Sequence, residues 1–240
     1  GKHRIACGSS TDAHTVEAVL AEVKPHLMVT DPPYGVEYDA SWRNEAKRKG
    51  GKAFGAFAVG RVENDGQADW REAWALFPGD VAYVWHAGVF AGNVADSLAA
   101  CDFELRSQII WAKNSHAISR GHYHWQHEPC LYGWKDGAAH KWHSDRKQTT
   151  ILNFQRPRVS KEHPTMKPIP LIAYQIKNSS LPGEIVADTF GGSGTTMVAS
   201  EQMSRRCRMI EMDPVYCQVI VNRMMALVPG IKITKNGVPA

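Results

Sequence analysis

The sequence predicts an α/β fold built on a doubly wound, mostly parallel sheet with one antiparallel strand. Short apolar runs rich in β-branched residues alternate with amphipathic stretches along the chain, as strands and helices do in such a sheet. The runs ending at Thr30 and Ala187 are nearly continuous in apolar residues, which is typical of parallel strands covered on both faces. Segments 104–111 and 128–134 are separated by 16 residues without a clear helical pattern, so we expect this pair to be antiparallel.

The first half of the chain begins with a βαβ unit. Residues 4–7 are predicted to form a short strand, and residues 12–23 form a helix with Val16, Val19 and Val23 on one side. Residues 26–30 form a second strand, parallel to the first. Helices are then predicted over 70–76 and 88–100, and strands over 80–85, 104–111 and 128–134.

The second half repeats the alternation. A helix is predicted over 169–178, where Pro168 and Pro170 lie at its start and are tolerated. A short strand over 184–187 leads into a glycine-rich turn, followed by a helix to about residue 204 and a strand over 207–210. The last predicted helix is capped by Asp213 and has Pro214 at its first position.

The composition bounds the class of protein. The 240 residues suit a single domain, 1–240, and contents of 43% hydrophobic and 22% charged residues are ordinary for globular proteins. No apolar stretch approaches the roughly 20 residues of a membrane span, and the N-terminus lacks a signal-peptide pattern. The five cysteines are odd in number, scattered and mostly inside apolar runs, which indicates buried thiols in a reducing compartment. We therefore expect a cytoplasmic protein.

Basic residues are concentrated in two segments without a regular period. Residues 41–61 hold six Lys or Arg against one Glu, and residues 135–167 hold eight against three acids. We expect 36–68 to be a mobile basic loop and 135–162 a DNA-recognition insert, because clustered cations attract a polyanion. The DNA-binding candidates are Lys47, Arg48, Lys49, Trp142, Arg146, Lys147, Arg156 and Arg158. A solvated charged surface, or an insertion without a role, is the alternative.

Asp31-Pro32-Pro33-Tyr34 follows the second predicted strand, at the end where open α/β sheets bind ligands. The two prolines stiffen the backbone and remove two N–H donors, which leaves carbonyl acceptors beside a carboxylate and an aromatic ring. Such a turn suits a planar heterocycle with an amino group. The carboxylate and the Pro32 carbonyl would hold the amine, and Tyr34 would stack on the ring. The same four residues also make an ordinary strand-to-loop turn.

A second motif runs from Asp188 through Gly194 and opens a helix. Glycines allow a close backbone approach and a helix N-terminus offers N–H donors, so this turn suits a nucleotide-like ligand. No Gly-Lys-Ser/Thr follows, which excludes a phosphate loop, and the missing third glycine weakens a dinucleotide site. Glu211 ends the next strand, where an acid is placed to hold two ribose hydroxyls. An adenosine moiety is therefore implied.

The histidines of segment 122–127 are close to Cys130 and resemble a metal site in composition. No second cluster with ligand spacing accompanies them, so we predict no metal. Alternating histidine and aromatic residues equally describe a strand, or a surface that stacks on nucleic acid.

A third motif, His163-Pro164-Thr165-Met166-Lys167-Pro168, lies between the other two. With the three motifs in this order, nearly the whole chain resembles the β class of S-adenosylmethionine-dependent amino-methyltransferases of DNA. The resemblance implies a Rossmann-like methyltransferase sheet and double-stranded DNA as partner. It implies a catalytic group of Asp31, Pro32, Pro33 and Tyr34. It also implies S-adenosyl-L-methionine as cofactor, with Glu211 on its ribose and Thr165 and Lys167 facing its carboxylate. The cofactor-binding residues implied by the resemblance are Thr165, Lys167, Asp188, Phe190, Gly191, Gly192, Ser193, Gly194, Thr195 and Glu211.

The activity implied is methyl transfer to the exocyclic amine of a flipped base. Adenine N6 is expected. In this family an aspartate at the first position of the tetrapeptide usually accompanies methylation of adenine, whereas a serine there usually accompanies methylation of cytosine. The alternative methyl acceptors are cytosine N4, a protein glutamine and RNA. A further alternative is that the protein is a catalytically silent DNA-binding relative of these enzymes. A homodimer and a cognate restriction enzyme are further partners that the resemblance leaves open.

Overall fold

The computed structural model describes residues 2–36, 66–116, 122–155 and 166–239. Within these ranges the chain forms an eight-stranded sheet in the order β1-β8-β7-β2-β3-β5-β4-β6, and a two-stranded hairpin. The strands are β1 (Arg4–Cys7), β2 (Leu27–Thr30), β3 (Val81–Trp85), β4 (Phe103–Ala112), β5 (His127–Lys135), β6 (Ile151–Leu152), β7 (Ile185–Asp188), β8 (Arg206–Glu211), β9 (Thr234–Lys235) and β10 (Val238–Pro239). The α-helices are α1 (Ala13–Leu20), α2 (Arg71–Ala75), α3 (Ala91–Ala99), α4 (Ile169–Ser179), α5 (Thr195–Gln202) and α6 (Pro214–Leu227).

The predicted sheet is confirmed. Strands β1, β8, β7, β2 and β3 pair in parallel, whereas β5 is antiparallel to both β3 and β4. β5 is thus the one antiparallel strand of the large sheet as described. Its amino end therefore lies at the same edge of the sheet as the carboxyl ends of its neighbours.

Helices cover both faces of the sheet, as a doubly wound fold requires. On one face Val29, Tyr83 and Trp85 pack with Leu171 and Ile176 of α4. The other face buries a separate cluster, in which β2 and β3 meet α2 and α3 through Met28, Val84, Trp74, Val94 and Leu98. Because consecutive strand residues point to opposite faces, the near-continuous apolar pattern of β2 and β3 is explained by burial on both sides.

The structure departs from the sequence prediction mainly at element ends. α1 ends at Leu20, where Ala21 and Glu22 take left-handed φ values of 46° and 69°. The predicted helix over 88–100 begins with a 3₁₀ turn at Gly88–Phe90 before α3. β6 and the hairpin of β9 and β10 were not predicted, because two-residue strands carry no periodicity to detect.

The predicted caps of α6 are present, since the Asp213 carboxylate accepts a hydrogen bond from the Val215 amide at 2.7 Å and Pro214 is the first helical residue. All five cysteines are free thiols. The prediction that they are buried is correct for Cys130 and Cys207, whereas Cys101 and Cys217 are partly buried and Cys7 is exposed. Among the described residues, no helix has both the length and the apolar character needed to span a membrane.

Candidate active site

Two loops of the predicted site lie side by side at one edge of the sheet. β2 and β7 are parallel neighbours, so the loops after Thr30 and Asp188 leave the sheet together. A hydrogen bond of 2.8 Å from the Thr30 hydroxyl to the Asp188 carboxylate joins them directly. From this pair the chain proceeds from β2 to β3 on one side and from β7 to β8 on the other. The site therefore lies at the point where the order of strands reverses, which is where such sheets form a ligand crevice.

The tetrapeptide after β2 is held by contacts on both sides. The indole N–H of Trp70, which precedes α2, donates to the Pro33 carbonyl at 3.0 Å. The phenol of Tyr34 donates to Asp31 Oδ1 at 2.7 Å, which fixes the carboxylate orientation. Pro32 is buried, whereas the Asp31 side chain remains 32% exposed and faces the open edge of the sheet. The Asp31 carboxylate therefore remains partly accessible from solvent.

A buried ammonium group occupies the centre of the site. Lys167 Nζ lies 2.6 Å from Asp31 Oδ2, 2.8 Å from the Tyr34 hydroxyl and 2.9 Å from Glu128 Oε2. Its side chain is only 3% exposed, and the Trp85 ring centroid lies 5.3 Å from the ammonium. An ammonium has three N–H donors, and three oxygen acceptors are within hydrogen-bond distance. The sequence prediction had Lys167 facing the cofactor carboxylate, which stays a prediction, while the structure places it on Asp31 and Glu128.

Glu128 and Lys113 belong to the site but were not assigned a role from the sequence. Glu128 is the second residue of β5, and it reaches the site because that strand starts at this edge. Lys113, directly after β4, forms an ion pair with Glu128. A carboxylate at the start of an otherwise apolar strand is the signal that could have identified Glu128, since an acid there needs a buried partner.

The charges of this cluster stabilise one another. Burial opposes ionisation of Glu128, but the Lys167 and Lys113 ammonium groups outweigh it and lower the pKa of Glu128 to about 2. Burial likewise disfavours the Lys167 cation, yet Asp31 and Glu128 raise its pKa above the usual value. Burial and the two carboxylates raise the pKa of Tyr34, so it remains a neutral phenol. Glu128 and Lys167 are therefore both charged at neutral pH.

The Lys167 ammonium lies off the faces of the Tyr34 ring, and the ring itself packs against the core. The Lys167 ammonium is 2.8 Å from the phenol oxygen and 5.3 Å from the ring centroid. These two distances place the ammonium beyond the hydroxyl and near the ring plane, so it does not cover a face of the ring. The predicted stacking of a base on Tyr34 is therefore compatible with the ion pair.

The glycine turn after β7 forms a cradle. Gly192 has φ of +50° and no atom within 4 Å of where a Cβ would lie, so open space adjoins its backbone. The Gly192 amide donates to Glu211 Oε2 at 2.6 Å, and the Asp213 amide donates to Oε1 at 2.8 Å. Gly191 and Gly194 instead pack closely, because a Cβ there would lie within 2.8 Å of Met209 and Ile220 respectively. Open backbone beside a carboxylate at a strand end fits an adenosine-type ligand.

The other predicted cofactor residues surround this cradle. Phe190 packs edge-on against Trp70 and Trp74, with ring centroids 4.8 and 5.9 Å apart. Ser193 is buried, and both its carbonyl and its hydroxyl accept hydrogen bonds from Arg223 of α6. Thr195 is the first residue of α5 and is buried. Thr165 lies outside the described residues, so its role stays a prediction.

Asp188 is a buried acid with polar neighbours. It is 3% exposed, accepts from the Thr30 hydroxyl and lies 3.2 Å from the Phe190 amide. Burial raises its pKa to about 7, although hydrogen bonds from Thr196 and Thr30 oppose the shift. The folded protein therefore binds a proton here that the unfolded chain, with an ordinary aspartate, releases at a lower pH.

This shift predicts a pH dependence of stability. Because the folded pKa of Asp188 is the higher one, its contribution is most favourable below pH 4, declines as the pH rises to about 7, and is constant above that. The decline amounts to at most about 4 kcal/mol. Urea unfolding of wild type and Asp188→Asn between pH 4 and 8 should show the difference between the two stabilities changing across this interval. A difference independent of pH would contradict the prediction.

The predicted DNA-binding residues fall into three groups. Lys47, Arg48, Lys49, Arg156 and Arg158 lie outside the described residues, as does most of the predicted loop 36–68. Arg146 and Lys147 are exposed and available for phosphate contacts. Trp142 packs on Tyr132, with ring centroids 6.4 Å apart, and its indole N–H donates to the Asp145 carbonyl. This packing gives Trp142 a place in the fold, and a DNA contact by it stays a prediction.

The histidine-rich segment forms a ladder of aromatic contacts at the same edge of the sheet. His116 stacks on His124 at 5.2 Å, Trp125 contacts His127, and Tyr123 is 93% exposed. Across the described ranges, no three His, Cys, Asp or Glu side chains are grouped in a way that would hold a metal ion.

Comparison with protein families gives one match that covers most of the chain. The family model described as DNA methylase, for N6 and N4 methylation, matches residues 25–222. A curated relative, the DNA adenine methyltransferase YhdJ of Escherichia coli K12, is 26% identical over 155 residues, which are 51% of this chain and 53% of that protein. The chain thus spans about half the length of this relative.

Solved structures share the fold. The complex of M1.HpyAVI with SAM superposes with a TM-score of 0.66 at 21% identity, covering 92% of this chain and 98% of the other. The PvuII DNA methyltransferase, described as cytosine-N4-specific, gives a TM-score of 0.66 at 17% identity, covering 95% and 87% of the two chains. At these identities the likeness supports the architecture and the sheet order described above.

Proposed function

This chain belongs to the N6/N4 DNA methylase family, and from that premise we propose that it methylates the exocyclic amine of a base flipped out of double-stranded DNA, most simply adenine N6. The observation that carries the proposal is the hydrogen bond joining Thr30 to Asp188, which sets the amine-binding loop beside the glycine cradle. Support for adenine comes from Asp31 at the first position of the tetrapeptide, and from the relative named as a DNA adenine methyltransferase.

The residues of the cradle fit S-adenosylmethionine as methyl donor. Gly192 offers open space beside its backbone, and Glu211 lies at the end of β8 with both oxygens already accepting amide hydrogen bonds. Burial raises the pKa of Glu211, and this cost would be relieved by the hydroxyl donors of a ribose. When bound, the group supplies a sulfonium methyl, which is electrophilic. Phe190 and Asp188 would lie along the same wall of the crevice.

The protein's part in the reaction is orientation and charge stabilisation. The base amine is a poor nucleophile because its lone pair is delocalised into the ring. Acceptors at Asp31 and the Pro32 carbonyl would hold its two hydrogens and favour a pyramidal nitrogen. Held in this way, the nitrogen lone pair would point at the methyl group that the bound cofactor would supply. The C–S electron pair would leave with the sulfur, and the proton released from the amine would pass to solvent. Asp31 stabilises the positive charge that develops on the nitrogen.

A flipped base would be received by Tyr34. Extrusion of a base costs a few kcal/mol, and stacking and amine hydrogen bonds offset this cost. The faces of the Tyr34 ring are not covered by the Lys167 ammonium, which supports this assignment. The exposed cations Arg146 and Lys147 would contribute phosphate contacts, which position the duplex without reading its sequence.

The test is direct methylation of unmodified DNA. Plasmid DNA from a methylation-deficient host would be incubated with tritiated S-adenosylmethionine, digested to nucleosides and analysed by mass spectrometry. We expect N6-methyldeoxyadenosine. N4-methyldeoxycytidine would correct the base while retaining the DNA methyltransferase. Label found in RNA or protein instead of DNA would overturn the proposal.

A matched pair of glycine variants tests the cradle. Gly192 and Gly137 both have positive φ, +50° and +70°, and both adjoin open space. Alanine at either position should lower the free energy of unfolding by about 1 kcal/mol because of left-handed strain. Calorimetric titration with S-adenosylmethionine should show about tenfold weaker binding for Gly192→Ala only, because its methyl group would project into the cradle. Equal affinities in the two variants would contradict this assignment.

A further inference from the structure

We infer that Glu128 is a positioning residue for methyl transfer: by sharing the Lys167 ammonium it preserves negative charge on Asp31, where the reacting amine binds. The inference rests on the proposed function, because it names how a residue outside the three sequence motifs serves that same site. Glu128 itself is not placed to touch the base. It acts through Lys167, which lies between the two carboxylates.

Asp31 and Glu128 share one cation, the ammonium group of Lys167. The Lys167 ammonium is held almost equally, with Asp31 Oδ2 at 2.6 Å and Glu128 Oε2 at 2.9 Å. The Tyr34 hydroxyl lies 2.8 Å from the same nitrogen and 3.4 Å from Glu128 Oε2. Because the Lys167 side chain is 3% exposed, solvent screens its charge only weakly. Without the Glu128 charge, its attraction would fall on Asp31 alone.

The ion-pair cluster contains equal numbers of positive and negative side chains. Along the cluster the side chains alternate in sign, from Lys113 to Glu128 to Lys167 to Asp31. The four formal charges cancel. Replacing Glu128 with glutamine leaves one excess positive charge in a region with little solvent screening. Methyl transfer moves positive charge onto the amine beside Asp31, so an excess cation there opposes the transition state more than the ground state.

Glu128 and Asp31 differ in how far they are exposed at this edge of the sheet. β5 is antiparallel to β3, so its second residue lies at the edge where β2 and β3 end. The Glu128 side chain is 21% exposed, against 32% for Asp31, and it is covered by Lys113 on its other side. Asp31 is therefore the more exposed of the two carboxylates, and Glu128 is the second anion that holds the ammonium.

The experiment compares Glu128→Gln with the double variant Lys113→Met/Glu128→Gln, using the tritium assay on unmodified plasmid DNA. Glu128→Gln should lower kcat on the order of 30-fold, less than the loss of a group that contacts the developing charge directly, with the KM for DNA within about twofold. The double variant removes the excess cation and should recover about tenfold of that loss. Glu104→Gln, which breaks an exposed ion pair with Arg106 on β4, should leave kcat unchanged.

The kcat values of the variants distinguish a charge role of Glu128 from a purely structural role. Recovery of kcat in the double variant supports the charge role, because a purely structural role would make the two losses add. A kcat within twofold of wild type for Glu128→Gln, or a double variant no better than the single one, would overturn the inference. Far-UV circular dichroism and thermal unfolding establish that the variants fold. If Glu128→Gln does not fold, the kcat of Lys113→Met/Glu128→Gln is compared with that of Lys113→Met, which differs from it only in the Glu128 charge. Equal kcat values would then overturn the inference. Wild-type protein that methylates no DNA would instead refute the proposed function.

Discussion

Replacing Asp31 with alanine is expected to abolish methyl transfer while leaving the cofactor affinity within about threefold of wild type. Asp31 is a partly exposed acceptor, and in the proposed reaction positive charge develops beside it. Removing a group that stabilises transition-state charge costs about 10²–10³-fold in kcat, and the loss of amine orientation adds to this. Cofactor binding should persist because the glycine cradle and Glu211 belong to β7 and β8 rather than to the tetrapeptide.

The fold should tolerate this change, because Lys167 would still have Glu128 and the Tyr34 hydroxyl as partners. Tritium transfer to DNA and calorimetric titration with S-adenosylmethionine measure the two effects separately. Asp96→Ala, which removes an exposed carboxylate from α3, is the control and should leave both quantities unchanged. Near-normal turnover of Asp31→Ala would refute the assigned role of this carboxylate.

Replacing Lys167 with methionine should have the largest effect on stability. The change leaves the carboxylates of Asp31 and Glu128 facing a site from which their shared cation has been removed. Breaking a buried ion pair in this way lowers the free energy of unfolding by about 3–5 kcal/mol. The remaining carboxylates should bind protons more readily when folded, so part of the loss should be recovered as the pH falls from 8 to 5.

Urea unfolding at several pH values measures this prediction. Lys177→Met is the matched control, because Lys177 lies on α4, the helix that begins two residues after Lys167, and its side chain is exposed. It should change stability by no more than about 0.5 kcal/mol. The double variant Lys167→Met/Glu128→Gln should be more stable than Lys167→Met alone. If Lys167→Met and Lys177→Met were equally stable, the ion-pair cluster would have no role in stability.

Much of the fold was predictable because β2, β3 and β7 are apolar on both faces and are followed by clear turn chemistry. The antiparallel arrangement of β4 and β5 was also accessible, since no helix pattern separates them. The order of the strands was not predicted, because pairing partners such as β1 and β8 are about 200 residues apart in the chain. Element ends such as Ala21 and Glu22 depend on left-handed backbone that residue type alone does not specify.

The site was predictable only where motifs are contiguous. Asp31, Tyr34 and the glycine turn were found because each lies in a short run with its own chemistry. The partnership of Lys167 with Asp31 was not found, since the two residues are 136 positions apart and meet only through packing of α4 against β2 and β3. Glu128 was given no role because a predicted strand alone does not show which of its ends reaches the crevice.

The reversed direction of β5 has a consequence for how such a protein can diversify. Side chains of a strand alternate between faces, so one extra residue between Glu128 and the paired core residues Cys130 and Leu131 would turn the acid away from Lys167. Residues added upstream of His127 would leave that register unchanged. The stretch between Lys113 and His127 could therefore change in length or sequence while Glu128 keeps its register and its two lysine partners.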